Sequence, residues 1–114
     1  MSKRGNIEFL KDIHEGIRRI MQYTCVGYSD FLIDIKTQDA VIRNIEIIGE
    51  AAKNISEDFK NRYPDIPWKN LTGARDKLIH HYFGINLEVV WYIIKDDLPP
   101  LLEQIKIIIE IEKN

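Results

Sequence analysis

The chain has 114 residues, of which 45% are hydrophobic and 30% charged, and its formal net charge at pH 7 is −2. This length fits one domain spanning residues 1–114, and the apolar content excludes a disordered chain. The small negative charge argues against a protein that holds long nucleic acid by its overall charge alone.

The sequence shows no sign of a membrane or secreted location. It has no run of about 18 apolar residues, and its first residues are charged and helical in pattern, unlike a secretory signal. We therefore expect a cytoplasmic protein with no membrane partner. Cys25 is the only cysteine, so no disulfide can form within the chain, and we expect it to be a small buried side chain.

Apolar residues recur at helical spacing along nearly the whole chain. The first stripe predicts a helix at roughly residues 5–23. A second stripe, from Val41 to Ile55, predicts a second helix, and Thr37 is suited to cap its N-terminus.

A proline-containing break separates the second helix from a third. Pro67 suits the first position of the third helix, because its missing N–H would be unpaired there anyway. Gly84 suits the left-handed position that ends this helix. Asn86 can cap a fourth helix, which Pro99 and Pro100 should kink or break before a last helix.

No segment alternates apolar and polar residues for long, so no sheet is expected. The pattern predicts an all-α fold, an up-and-down bundle of four to five helices. Trp68 and Trp91 are expected to anchor its core. The last helix has four isoleucines among residues 107–111 and is apolar on more than one face. Such a helix is either central or covered by another chain, which favours a dimer.

The candidate catalytic side chains lie late in the third helix. Asp76 and His80 are one helical turn apart, so the carboxylate can orient the imidazole and raise its basicity. Arg75 and His80 are five residues apart, about 140° around the helix, so one helix alone cannot clamp a phosphate between them. Two such helices crossing at a two-fold axis could place an arginine and a histidine from each subunit in one cleft.

RNA cleavage is the reaction that suits these side chains. RNA supplies its own nucleophile, the 2′-OH, so cleavage needs a base, an acid for the leaving 5′-oxygen and positive charge on the transition state. Histidine transfers protons near neutral pH, and arginine aims two donors at phosphate oxygens. From the residues alone, the alternatives stay open that His80 is a surface or interface histidine paired with Asp76, and that Arg75 forms a structural salt bridge.

Other candidates for chemistry are weaker. His80 and His81 are adjacent and point about 100° apart, so they cannot chelate one metal ion, and we expect no metal and no cofactor. Arg43 and Glu50, seven residues apart on the second helix, either orient Arg75 or lie on a solvated face. The sequence has no glycine-rich phosphate loop, so the chain itself should not transfer nucleotides.

Residues 75–82 match the arginine-x4-histidine-x-tyrosine motif of HepT-like ribonucleases in the HEPN superfamily. A polar residue directly after the arginine, here Asp76, is also usual in HEPN proteins. Residues 40–52 resemble the second-helix signature of the family, and the segments around Trp68 and Trp91 resemble those that flank its motif helix. The resemblance therefore spans nearly the whole chain.

This resemblance implies a metal-independent endoribonuclease toxin in which Arg75 and His80 are catalytic, with Asp76 supporting them. It implies RNA as substrate and a homodimer formed through the motif helices. It also implies a partner, a minimal nucleotidyltransferase antitoxin that attaches AMP to Tyr82; from its position alone, Tyr82 would be a buried residue. Two alternatives remain open: a catalytically inactive helical scaffold for a nucleotidyltransferase, and a bare helical dimerisation module.

Overall fold

The computed structural model describes residues 5–80 and 86–113, except for the side chains of residues 75–80. Within these ranges the chain forms seven α-helices: α1 (Asn6–Tyr23), α2 (Tyr28–Ile33), α3 (Ile35–Asn54), α4 (Glu57–Arg62), α5 (Trp68–His80), α6 (Leu87–Tyr92) and α7 (Leu98–Lys113). A π-helical turn, Ile93–Asp97, joins α6 to α7. The described residues contain no strand, and the predicted all-α fold is confirmed.

The helix α3 begins at a different cap from the predicted one. Asp34 precedes α3, and its Oδ1 accepts hydrogen bonds from the backbone N–H groups of Lys36 at 3.1 Å and Thr37 at 3.3 Å. Thr37 lies inside the first turn, where its hydroxyl donates to Asp34 Oδ2 at 2.8 Å. The prediction of Thr37 as cap is therefore wrong, because a carboxylate three residues earlier is a stronger acceptor for the free N–H groups.

The predicted starts of the third and fourth helices, which are α5 and α6, are nearly right. Asn86 caps α6, and its Oδ1 accepts from the backbone N–H of Glu88 at 3.0 Å. Pro67 lies one residue before α5, since its carbonyl accepts the first helical bond from the N–H of Leu71 at 3.1 Å. Pro67 is thus the cap of α5 rather than its first residue. The predicted end at Gly84 lies outside the described residues.

The break before the last helix takes the form of the π-helical turn. The N–H of Leu98 bonds to the carbonyl of Ile93, five residues back, instead of four. Pro99 and Pro100 then occupy the second and third positions of α7, within the first turn. Proline is tolerated there because the first N–H groups of a helix have no partner inside it. The prolines therefore mark the start of α7.

The sequence pattern does not predict the two short helices α2 and α4. Each has 6 residues, too few for apolar periodicity to show. Each nevertheless buries one aromatic ring, Phe31 of α2 at 0% exposure and Phe59 of α4 at 2%. Each of these short helices is therefore held to the core by one large buried side chain.

One hydrophobic core receives buried side chains from all seven helices. The helix α1 packs against α3 and α7, and α3 packs against α5, so the long helices form the predicted bundle. Trp68 is buried and Trp91 packs against the core, as expected for anchors. The fully buried large apolar side chains are Leu10, Ile13, Ile17, Ile20, Phe31, Val41, Phe59, Ile94 and Ile105.

Cys25 is exposed, so the prediction that it is buried is wrong. It lies in the turn between α1 and α2, where neither helix covers it. Its neighbour Thr24 is buried instead, and the Thr24 hydroxyl donates to the carbonyl of Ile20 at 2.8 Å. The burial habits of a residue type cannot show which of two adjacent small side chains faces the core.

Gly16 allows α1 to approach α3 closely. A Cβ added there would lie 2.8 Å from Ile48 Cγ1, and Ile48 is only 3% exposed. We expect Gly16→Ala to lower the free energy of unfolding by up to about 2 kcal/mol. Overpacking costs about 1–3 kcal/mol, and the gain in helix propensity offsets at most about 1 kcal/mol. Urea unfolding followed by circular dichroism measures the change.

Gly73 of α5 provides the matched control. A Cβ added at Gly73 meets no described atom within 4 Å, so Gly73→Ala should stabilise the chain by up to about 1 kcal/mol through helix propensity. If Gly16→Ala were as stable to unfolding as Gly73→Ala, the close approach of α1 and α3 would not constrain the fold.

Candidate active site

The second half of α5 holds three of the predicted site residues, Arg75, Asp76 and His80. The side chains of residues 75–80 lie outside the described part of the chain, as do residues His81 and Tyr82. The pairing of Asp76 with His80 and the position of Tyr82 therefore stay predictions. The structure does describe the path of α5, the groove beside it and a second groove on the other side of α3.

The first turn of α5 is anchored in the core. Trp68 is 9% exposed, and its indole N–H donates to the carbonyl of Tyr63 at 3.0 Å. The hydroxyl of Thr72 donates within α5 itself, to the carbonyls of Trp68 at 3.2 Å and Lys69 at 3.1 Å. The helix also packs along α3. These contacts fix the start and the direction of α5, and the motif residues come later in the same helix.

The segment before α5 is also tied to the end of α7. The Tyr63 hydroxyl donates a hydrogen bond to the carboxylate of Glu112, and Arg62 forms an ion pair with the same carboxylate at 3.4 Å. The hydrogen bond to Glu112 raises the pKa of Tyr63 above its ordinary value, with a smaller contribution from burial. The approach to α5 is therefore held from two sides, by Trp68 within the core and by Glu112 from α7.

A groove between α3, α4 and α5 has a volume of about 570 Å³. We call it the basic groove, because three lysines and one carboxylate line it. Its lining residues are Gly49, Lys53, Glu57, Lys60, Asn61, Pro64, Trp68, Lys69 and Thr72. Lys53 was not among the residues predicted from the sequence, because α3 brings it next to α5 only through the packing of the two helices.

A second groove, of about 340 Å³, lies between α1 and α3, and Asp12, Arg43, Glu46 and Glu50 line it. Arg43 forms an ion pair with Glu46 at 3.6 Å, and both Arg43 and Glu50 are exposed. These contacts support the solvated-face alternative for the pair. Any role in orienting Arg75 rests on a side chain outside the described part of the chain.

The described part of the chain contains no group of three or more histidine, cysteine, aspartate or glutamate side chains that could hold a metal ion. No described helix is long and apolar enough to cross a membrane.

The apolar outer face of α7 remains open in the single chain, with Ile107 at 52% and Ile111 at 56% exposure. The dimer stays a prediction.

The family model and the relatives that this chain matches are all described as ribonucleases. Residues 13–108 match the model of a family described as ribonuclease HepT-like. The chain is 51% identical over 100 residues to a protein of Thermococcus cleftensis named as a probable ribonuclease HepT, covering 87% of this chain and 91% of that one. It is 49% identical over 111 residues to a proposed RNase of Methanocaldococcus jannaschii, covering 96% and 92% of the two chains. No solved structure matches the chain.

Proposed function

The chain belongs to the HepT-like ribonuclease family, and on that premise we propose that it is an endoribonuclease that cleaves RNA without a metal ion. The observation that carries the proposal is the family match over residues 13–108, which includes all of α5 and the motif. The anchored first turn of α5 supports it, because a catalytic helix must hold its side chains in a defined place.

Arg75 and His80 carry the proposed reaction. The 2′-oxygen of the substrate attacks the adjacent phosphorus as a base removes its proton, and the bond from phosphorus to the 5′-oxygen breaks as that oxygen receives a proton. His80 serves these proton transfers near neutral pH, and Asp76 orients its imidazole. Arg75 donates hydrogen bonds to the phosphate oxygens, where negative charge builds up in the transition state. The products are a 2′,3′-cyclic phosphate and a 5′-hydroxyl.

The proposed active form is a homodimer. Residues Arg75 and His80 are separated by about 140° around α5, so they diverge on a single helix. Two copies of α5 crossing near a two-fold axis would bring the arginine of one subunit towards the histidine of the other. The exposed isoleucines of α7 give further apolar surface for association between copies.

The proposed biological role is that of a toxin held in check by a nucleotidyltransferase antitoxin. In this scheme the antitoxin transfers AMP from ATP to the hydroxyl of Tyr82, and pyrophosphate leaves. The antitoxin supplies the metal-bound ATP and the base, because a tyrosine hydroxyl with an ordinary pKa near 10 is a poor nucleophile at neutral pH. The resemblance to the family and the motif tyrosine, two residues after His80, support this proposed role.

Incubation of the purified chain with total RNA in the presence of EDTA tests the activity. We expect cleavage to persist, because histidine and arginine supply all the required chemistry, and the new ends to be 2′,3′-cyclic phosphate and 5′-hydroxyl. Strict dependence on added Mg²⁺, or 5′-phosphate ends, would contradict the mechanism. An absence of cleavage, together with normal growth of cells expressing the chain alone, would favour the inactive scaffold instead.

A further inference from the structure

The basic groove stands out against the charge of the whole chain. The formal net charge is −2 over 114 residues, yet three lysines and one glutamate line this groove. The groove between α1 and α3 has the opposite balance, with three carboxylates against one arginine. The fold thus separates charge between the two sides of α3, and its positive side adjoins the motif helix.

Among the described residues, little negative charge compensates the lysines of the basic groove. Lys53 and Lys69 are exposed, and neither forms an ion pair with a described residue. Lys60 lies 3.7 Å from Glu57, whose side chain is 84% exposed, so water screens this pair strongly. The Lys60 side chain is only 14% exposed, and Lys60 is among the residues that line the groove. Anions entering the groove would therefore meet available cations.

The groove also leads towards the motif along α5. Thr72 lines it, and Asp76 and His80 follow Thr72 at intervals of four residues on the same helix. Each interval advances about 6 Å along the axis and turns about 40° around it. By register, Lys69, Thr72, Asp76 and His80 therefore share one side of α5. A strand whose phosphate lay at the motif could continue directly into the groove.

We propose that the basic groove binds the sugar–phosphate backbone of the single-stranded RNA next to the cleaved phosphate, with Lys53, Lys60 and Lys69 contacting phosphates. This rests on the proposed ribonuclease function and extends it to the substrate. Lysines that follow a backbone bind without reading sequence. The side chain of Trp68 is buried, so no RNA base can stack on it. The expected contacts are therefore electrostatic. The site would therefore bind a single strand whatever its base sequence.

Binding of a short, mixed-sequence 2′-O-methyl oligonucleotide tests this proposal without cleavage, because the probe lacks the free nucleophile. Fluorescence anisotropy at several salt concentrations gives the slope of log K against log salt. The variant Lys53→Gln/Lys69→Gln should bind more weakly than the wild type. Its slope should be shallower by about 1.4, because each single-strand phosphate that a lysine neutralises contributes about 0.7 to the slope.

Lys36→Gln/Lys106→Gln is the matched control, because it removes the same charge from two exposed lysines outside the groove. Its slope should stay close to that of the wild type. Equal slopes for the two double variants, or no salt-dependent binding by the wild type, would overturn the proposal. Binding of polyglutamate but not of the oligonucleotide, with the same dependence on Lys53 and Lys69, would assign the groove to an acidic protein segment and also overturn it.

The two proposals fail separately. If the wild type binds the probe as expected but does not cleave RNA, the ribonuclease function fails while the groove stands. If RNA is cleaved normally but the groove variant binds like the control variant, only the groove assignment fails. Thermal unfolding of both double variants should match that of the wild type, since all four lysines are exposed.

Discussion

His80→Ala is expected to abolish RNA cleavage and growth arrest while leaving the helical fold unchanged. The imidazole is the group proposed to transfer protons to and from the reacting oxygens, and loss of such a group typically lowers the rate by about 10²–10⁴-fold. The measurement is the initial rate of cleavage of a defined RNA under EDTA, with circular dichroism to verify the helical content.

His81→Ala is the matched control for this prediction. It removes the same type of side chain from the next residue. Adjacent residues of a helix point about 100° apart, so this change should affect the rate far less. Wild-type rates from both variants would show that neither histidine is catalytic. A greater loss from His81→Ala than from His80→Ala would mean that the reaction had been assigned to the wrong residue of the pair.

A mixed dimer distinguishes catalysis across the subunit interface from catalysis within one chain. Arg75→Ala and His80→Ala should each be inactive alone. Combined, they leave one arginine and one histidine on different subunits, which restores one working pair if the two act across the interface. Activity should then return in part. An active species that sediments strictly as a monomer would contradict the shared cleft.

Tyr82→Phe is expected to abolish neutralisation by the nucleotidyltransferase, so that cells expressing both proteins stop growing. Phenylalanine keeps the ring but lacks the oxygen that would accept AMP. Tyr82 comes seven residues after Arg75 in the sequence, so a continued helical register would place it nearly in line with Arg75, beside the proposed cleft. Basal cleavage by the variant can change, but its control by the partner should disappear.

An AMP group at Tyr82 would inhibit through both charge and bulk. Its phosphodiester carries a negative charge among Arg75 and the neighbouring lysines, where charge-assisted hydrogen bonds can hold it. It would occupy the place of an RNA phosphate and exclude substrate. A modified chain should therefore lose affinity for the 2′-O-methyl oligonucleotide as well as activity, a double effect that a purely structural role of Tyr82 would not produce.

Intact-mass spectrometry after co-expression with the partner measures this modification. The wild type should gain the mass of an adenylate, and peptide mapping should place it on Tyr82. Tyr92→Phe is the matched control, because Tyr92 of α6 is 61% exposed and yet lies outside the motif. The control should still be modified. Adenylate on another residue, or none at all, would refute this mode of control.

The amino-acid sequence alone determined the long helices and their order, because apolar periodicity and capping residues act within a few turns of the chain. The cap at Asn86 and the break before α7 are examples. The placement of Arg75, Asp76 and His80 on one helix was also predictable, since it depends only on local register. The motif that carries the family resemblance is likewise one continuous segment, residues 75–82, and can be recognised without the tertiary structure.

Only the tertiary structure decided which surfaces come together, because packing depends on residues far apart in the chain. The short helices α2 and α4 form where one aromatic ring of each is buried in the core, and Cys25 is exposed because no helix covers its turn. Lys53 reaches the basic groove only because α3 packs along α5. Lys53 thus joins Lys60 and Lys69, which are close to each other in the sequence, beside the motif helix, and no local pattern predicts that this third lysine lies there.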